Sequence, residues 1–116
     1  MSCEGKGGSQ NFEEARKYFK LAADQGLSIA QSNYAEMCYE GKGGPQNFEE
    51  ARAYYKLAAN QGLVFSQSNY ASMCSEGKGG PQSFKEARSY FRLAADQGDV
   101  TAQFHYAEMC YEGEGT

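Results

Sequence analysis

The apolar positions of residues 47–59 recur at intervals of three or four, the spacing of a helix with one buried face. The stripe consists of Phe48, Ala51, Tyr54, Tyr55 and Ala58. Asn47 precedes the stripe and Glu50 follows three residues later, as in a capping box, so a helix is predicted to begin here. Gly62 suits a left-handed C-terminal cap, which predicts that the helix ends just before it.

A second helical pattern follows almost at once, in residues 66–76. Its core-facing positions are Tyr70, Ala71, Met73 and Cys74. Residues 77–82 cannot continue this helix, because they contain three glycines and Pro81, which lacks a backbone donor. One unit is therefore predicted to be an antiparallel helical hairpin, with a tight turn on one side and a glycine loop on the other.

This unit recurs with a period of 36 residues. All 14 glycines of the 116-residue chain fall on four positions of the period, and residues 1–36 match residues 37–72 at 26 positions. A period of about 20 to 50 residues is typical of a solenoid, in which each unit buries its apolar face on its neighbours. The sequence therefore predicts an all-α solenoid with six helices. We expect these helices near residues 12–25, 28–40, 48–61, 64–76, 84–97 and 100–112.

We expect residues 1–116 to form a single domain, since the chain is too short for two compact cores. The repeat periods are 1–36, 37–72 and 73–108, with a remainder at 109–116. Solenoids normally end in polar capping helices, and the pattern contains none. These features lead us to expect a piece of a longer array.

The composition narrows the classes of partner. Eleven basic and 15 acidic residues give a net charge of −4, which disfavours binding to nucleic acid. Nine tyrosines and seven phenylalanines argue against disorder. The chain contains no apolar stretch long enough to span a membrane and no visible signal peptide, so we expect a cytoplasmic protein without membrane contact.

The repeated pattern closely resembles the Sel1-like repeat. The residues that carry the resemblance are Ala30-Gln31-x-x-Tyr34-Ala35-x-Met37-Cys38-x-x-Gly41-x-Gly43 and Phe48-x-x-Ala51-x-x-Tyr54-Tyr55-x-x-Ala58-Ala59-x-Gln61-Gly62. Tyr34, Ala35 and Cys38 depart from the leucine, glycine and tyrosine usual in the family, which are exchanges of core volume. Tetratricopeptide repeats fit less well, because their period is about 34 residues. The resemblance implies a curved α/α superhelix that serves as a protein adaptor or scaffold, generally without catalysis.

The cysteines are predicted to be free. Cys38, Cys74 and Cys110 stand one repeat apart, and helix packing would separate them by roughly 10 Å, whereas a disulfide needs Cα atoms within about 7 Å. We expect all three to be buried as small hydrophobic side chains. Cys3 does not align with them and is expected to be exposed near the chain end. Four cysteines along a solenoid with one histidine do not supply a zinc site, so we expect no metal and no cofactor.

No catalytic arrangement is visible. His105 stands where the other repeats have asparagine, which indicates a polar surface substitution in preference to a general base. The segment 41–44 lacks the longer glycine spacing and the Lys-Ser or Lys-Thr ending of a phosphate-binding loop, so it is predicted to be structural. Arg16, Arg52 and the neighbouring lysines are expected to be solvated charges on the outer helix faces.

With no metal, cofactor or catalytic site predicted, the candidate functional feature is an interaction surface. The resemblance implies that the second helix of each repeat builds the concave wall, and its non-core positions form one stripe. This predicted stripe consists of Ser32, Glu36, Tyr39, Glu40, Ser68, Ser72, Ser75, Glu76, Phe104, Glu108, Tyr111 and Glu112. Its aromatic and acidic residues suit an extended partner peptide with basic and apolar side chains, although ordinary solvated polar positions would give the same pattern.

A second hypothesis comes from the ends of the array. Apolar residues on the first and last helices could stack head to tail, which would make the chain a structural spacer, designed or consensus-like, that self-associates. These residues are Phe12, Tyr18, Phe19, Tyr106 and Cys110. An enzyme is the least supported reading, because a catalytic site should break the repeat symmetry with a titratable cluster.

Overall fold

The computed structural model describes residues 11–115, and Cys3 lies outside this range. The described residues form six α-helices of 13 residues each. They are α1 (Phe12–Asp24), α2 (Ser28–Glu40), α3 (Phe48–Asn60), α4 (Val64–Glu76), α5 (Phe84–Asp96) and α6 (Val100–Glu112). The predicted all-α class is confirmed, and the helices differ from the predicted ranges by one residue at the ends of α1, α3 and α5. Within the described range, no helix is long and apolar enough to cross a bilayer.

Local chemistry sets the helix ends. The side chain of Asn47 accepts a hydrogen bond from the amide of Glu50 at 3.0 Å, as predicted for an N-cap. In a capping box the Glu50 side chain would accept a hydrogen bond from the Asn47 amide. Here that amide donates instead to the carbonyl of Cys38 at 2.8 Å. The Glu50 carboxylate instead accepts from the hydroxyl of Tyr34 at 2.8 Å. This cap therefore also ties α3 to α2.

The helices stack in chain order, with the closest packing between consecutive helices. The array extends over 51 × 27 × 23 Å. We call α1, α3 and α5 the A helices, and α2, α4 and α6 the B helices. The core lies mainly between α2, α3, α4 and α5, where Ala51, Ala71 and Cys74 are completely buried. Each B helix therefore packs against the A helix before it, and α2 and α4 also pack against the A helix that follows.

The arginines of the A helices correct one expectation. Arg52 is only 8% exposed, not solvated. Its guanidinium donates to the carbonyls of Lys78 at 3.2 Å and Pro81 at 2.8 Å, in the loop after α4. Arg16 makes the same pair of bonds to the loop after α2, at 3.2 and 2.9 Å. These side chains thus hold the glycine loops in place.

The cysteines are free in the described residues, but they are not alike. Cys38 and Cys74 are buried, as predicted, whereas Cys110 is exposed, which corrects the expectation for the third repeat. The cause is the position of α6. The two buried thiols lie on B helices that a following A helix covers, and no described helix covers that side of α6.

This difference predicts selective thiol reactivity. Burial raises the pKa of both Cys38 and Cys74, so little reactive thiolate forms at either site. At about pH 8, iodoacetamide is expected to label Cys110 in the folded protein, and to label the two buried thiols only in denaturant. Peptide mapping by mass spectrometry, in a Cys3→Ser background, measures each rate. Labelling of Cys38 or Cys74 at the rate of Cys110 would contradict the burial.

Candidate interaction groove

Within residues 11–115, three adjoining cavities follow the B helices, one in each repeat. The first, between α1 and α2, has a volume of about 310 Å³. The second, formed by α2, α3 and α4, has about 350 Å³, and the third, formed by α4, α5 and α6, about 220 Å³. Glu36 and Glu40 line both the first and the second, and Ser72 and Glu76 line both the second and the third. The cavities therefore adjoin, and we call them together the groove.

The groove repeats because its lining repeats. Each cavity contains an aromatic residue of the A helix, an asparagine or histidine of the B helix, and a methionine of the B helix. These sets are Phe19, Tyr55 and Phe91; Asn33, Asn69 and His105; and Met37, Met73 and Met109. The methionines are buried, and so are Tyr55 and Phe91, which gives the groove an apolar floor. The polar side chains of the lining surround this floor and form the rim of the groove.

Most of the predicted stripe lies on this rim. The residues of the stripe that line the cavities are Glu36, Tyr39, Glu40, Ser72, Ser75, Glu76, Glu108 and Glu112. The structure thus brings together side chains from all three repeats along one face. Five of the eight are carboxylates, and the other three are Tyr39, Ser72 and Ser75.

The remaining four positions do not line these cavities, and the burial of Ser32 corrects its assignment to the non-core stripe. Ser32 is buried, and the equivalent Ser68 donates to Asp99 at 3.0 Å, at the turn before α6. This row of the B helix therefore faces the tight turn of the next repeat. Phe104 occupies the same row and is 62% exposed, and Tyr111 is 92% exposed. Both lie outside the three cavities.

The sequence reasoning missed the asparagine row of the groove. Asn69 lines the second cavity, and its side-chain nitrogen is buried without a hydrogen-bond partner among the described residues. His105, expected on the surface, lines the third cavity with its side chain 41% exposed. Its ring lies 5.0 Å from that of Phe91, and its Nδ1 lies 3.7 Å from Glu108. A signal was present, since this position changes from asparagine to histidine while Gln103, Tyr106 and Ala107 keep the residues of the other repeats.

Carboxylates dominate the charge of the groove. Burial, reinforced by the charges of Glu36 and Glu40, raises the pKa of Tyr55 above its usual range. The phenol therefore stays neutral on the groove floor. The negative charge of the groove belongs to its glutamates.

Lysines of the chain itself offset part of this charge in two repeats. Lys42 lies 3.5 Å from Glu40, with its ammonium 5.4 Å from the ring centre of Phe12. In the next repeat, Lys78 lies 3.7 Å from Glu76 and 5.4 Å from the ring centre of Phe48. A hydrogen bond from Lys78 to the hydroxyl of Tyr39 at 2.8 Å adds to this contact.

The third repeat lacks this lysine. Glu114 occupies the equivalent position and lines the third cavity together with Phe84 and Glu112. The aromatic ring and the carboxylate that hold a lysine in the other repeats are both present. The third cavity is therefore the most acidic part of the groove.

The lining of the groove combines buried apolar side chains with exposed carboxylates. Among residues 11–115, no group of three or more His, Cys, Asp or Glu side chains is arranged to hold a metal ion. The groove offers an apolar floor, charged rims and repeated hydrogen-bonding groups.

The sequence model of the Sel1 repeat matches residues 1–27, 28–63, 64–99 and 100–116. The chain belongs to the Sel1 repeat family. The matched units that begin at residues 28, 64 and 100 begin with the B helices, so the family boundaries are shifted in phase from the periods counted from residue 1. The resemblance predicted from the sequence is confirmed.

Two solved structures share the fold of this Sel1 repeat chain. One is a protective antigen present in uropathogenic Escherichia coli strains, with an SLR fold; it is 32% identical, with a TM-score of 0.91 over 97% of this chain and 24% of its own. The other, a Sel1 repeat protein from Oxalobacter formigenes, is 31% identical, with a TM-score of 0.91 over 97% of this chain and 46% of its own. The chain thus spans less than half the length of either. No curated protein matches it.

Membership of the family gives the general class of activity. Sel1 repeats are generally non-catalytic scaffolds that bind other proteins. In this chain the groove is acidic, and the third repeat has Glu114 where the other two have lysine.

Proposed function

We propose that the chain is a non-enzymatic interaction module that binds a partner protein or peptide in the groove. The observation that carries this proposal is the sharing of lining residues between adjacent cavities. An extended segment could lie along such a groove and place one side chain in each cavity. The methionine and aromatic floor would bury apolar side chains, and the polar rim would fix the register.

The charge of the rim selects the partner. Glu36, Glu40 and Glu76 line the second cavity, with no lysine or arginine in its lining. A partner with basic side chains at intervals, separated by apolar ones, complements this arrangement. Nucleic acid and acidic peptides would be repelled.

The third cavity favours a basic side chain most strongly. Lys42 and Lys78 contact the aromatic ring and the carboxylate of their own repeats, so a basic side chain of the partner would have to displace them. In the third repeat no such displacement is needed, because Glu114 stands in their place. A lysine or arginine of the partner would gain both the contact with the Phe84 ring and the attraction of Glu112.

Charge reversal in the third cavity tests this function. A fluorescein-labelled peptide of alternating lysine and leucine serves as the probe, measured by fluorescence anisotropy. The double variant Glu108→Lys, Glu112→Lys is expected to bind it at least tenfold more weakly, equivalent to about 1.4 kcal/mol. Glu114→Lys, which restores the lysine of the other repeats, is expected to weaken binding in the same direction.

A matched control separates groove binding from general attraction. Glu13→Lys with Glu49→Lys makes the same change of charge at two exposed positions of A helices, outside the cavities. This control should bind like the parent, and an alternating glutamate and leucine peptide should not bind. An equal loss in the control variant, or equal binding of the two peptides, would overturn the proposal. Circular dichroism establishes that each variant keeps its helices.

A second candidate function is structural, with another copy of the chain as partner. Exposed apolar side chains on both end helices support it, among them Tyr18 on α1, which is 57% exposed, and Phe104 on α6. A spacer of this kind would show a mass that rises with concentration in light scattering. A mass of one chain at all concentrations would remove this function and leave the groove proposal intact.

A further inference from the structure

The two internal repeat interfaces use one set of contacts. Between α2 and α3, the rings of Tyr34 and Tyr54 pack edge to face at 4.7 Å. The Tyr34 hydroxyl donates to Glu50 at 2.8 Å, and the Tyr54 hydroxyl donates to Asp24 at 2.6 Å. One tyrosine thus links α2 to α3, and the other links α3 to the end of α1.

The second interface, between α4 and α5, repeats these contacts one period later. The rings of Tyr70 and Tyr90 lie 4.8 Å apart. Tyr70 donates to Glu86 at 3.0 Å, and Tyr90 donates to Asn60 at 2.6 Å. The geometry is therefore a property of the repeat.

A glutamine pair completes each interface. Gln61 donates to the side-chain oxygen of Gln31 at 2.9 Å, and Gln97 donates to that of Gln67 at 2.7 Å. Each pair joins the end of an A helix to the start of the preceding B helix. The pair fixes the register of the two repeats.

Each end of the array carries the residues that form one side of these internal interfaces. The earlier repeat of the first interface contributes Asp24, Gln31 and Tyr34. Their equivalents on α6 and the end of α5 are Asp96, Gln103 and Tyr106, and we call this surface the tail face. The later repeat of that interface contributes Glu50, Tyr54 and Gln61. Their equivalents on α1 and at its C-terminal cap are Glu14, Tyr18 and Gln25, and we call this surface the head face. Every residue type of the internal contacts is present, with aspartate at position 96 as at position 24.

The tail face is exposed where the equivalent surfaces of α2 and α4 are buried. Ala35 and Ala71 are completely buried on α2 and α4, whereas the equivalent Ala107 on α6 is exposed. Cys110 is exposed for the same reason, although Cys38 and Cys74 are buried. Within the described residues, no carboxylate accepts from Tyr106 as Glu50 does from Tyr34. The tail face is thus one half of an internal interface.

We propose that the head face of a second copy docks on the tail face and forms a third interface with the internal contacts. Tyr106 would donate to Glu14 of the second copy and pack edge to face on its Tyr18. That Tyr18 would in turn donate to Asp96 of the first copy. This inference rests on the structural function proposed above, and it adds the register and direction of the contact. The contact joins unlike faces, so it extends to open chains.

Two variants, each blocked on one face, test the direction. Ala107→Arg places a long charged side chain on the tail face, and Tyr18→Asp removes the ring from the head face and opposes Asp96. By sedimentation velocity from about 10 μM to about 1 mM, the parent's average mass should at least double. Each variant alone should stay at 12.7 kDa, the mass of one chain. Mixed in equal amounts, the variants should form a dimer of twice that mass and grow no further, because each supplies the face that the other lacks.

The outcomes distinguish the proposed head-to-tail register from self-association in any other arrangement. Ala53→Arg, at an exposed position of α3, is the control and should assemble like the parent. Slower iodoacetamide labelling of Cys110 at high concentration, in a Cys3→Ser background, would support the docking. A parent that associates while either blocked variant also associates alone would overturn the head-to-tail register and leave self-association standing. A parent that stays a monomer would overturn both.

Discussion

Substitution of Gly79 by alanine is expected to lower the free energy of unfolding by about 3 kcal/mol. Gly79 lies in the loop between α4 and α5 with a φ of +72°, which L side chains rarely adopt. A Cβ at this position would also collide with the carbonyl group of Phe48, the first residue of α3. Because these atoms are backbone at a helix end, no side-chain rotation relieves the collision, and the loop or the helix has to move.

Gly62 provides the matched control. It has a φ of +97°, but an added Cβ would meet no atom within 4 Å. Gly62→Ala should therefore cost only the left-handed conformation, about 1 kcal/mol. Urea denaturation followed by circular dichroism measures both variants. Equal losses would show that the loop is free to move away from α3, contrary to the close packing of Gly79 on the Phe48 carbonyl.

The helix ends and the core were predictable because their causes are local. Asn47 caps α3 and Gly77 ends α4 through backbone chemistry that acts within a few residues. Tyr70, Met73 and Cys74 were assigned to the core by helical spacing alone, and all three are buried. Repetition then transferred these assignments to the other repeats.

The burial of Arg52 was not predicted, although the sequence contains a signal for it. Arginine recurs at 16, 52 and 88, while the following position changes from Lys17 to Ala53 to Ser89. Arg52 also follows Phe48 by four residues, so both lie on one helix face. What periodicity cannot supply is the pair of loop carbonyls that accept from the guanidinium, 26 and 29 residues further along the chain. Without those acceptors, an arginine at the edge of an apolar stripe is assigned to solvent.

The groove was predictable only as a row of positions. The spacing of Glu36, Glu40 and Glu76 placed them on one side of the B helices, and they do line adjoining cavities. The neighbouring row of Ser32 and Ser68 faces the next repeat instead, which depends on how consecutive repeats are stacked. Helical spacing resolves the buried face from the exposed one. It does not divide the exposed face between a groove and a repeat interface.

Substitution of Arg52 by methionine is expected to lower the free energy of unfolding by about 3 kcal/mol. Methionine keeps the length and apolar contacts of the side chain but leaves the carbonyls of Lys78 and Pro81 without their donor. The guanidinium also lies 5.8 Å from the ring centre of Tyr70, and this contact is lost as well. Arg52→Lys should recover only part of the loss, because one ammonium cannot match two carbonyls as the planar guanidinium does.

The control for Arg52 is Arg92, whose side chain is 67% exposed and whose ion pair with Asp96 spans 3.8 Å. Arg92→Met should change the free energy of unfolding by less than about 0.5 kcal/mol, as for other exposed pairs. Hydrogen exchange gives a local readout, since the amide of Ser83, at the end of the loop, donates to Cys74 at 2.8 Å. Arg52→Met should accelerate exchange at Ser83, whereas Arg92→Met should leave it unchanged. If both variants lost equal stability, or Ser83 stayed protected in Arg52→Met, the arginine would not be what holds the loop. The stacking of A and B helices would then have to hold it alone.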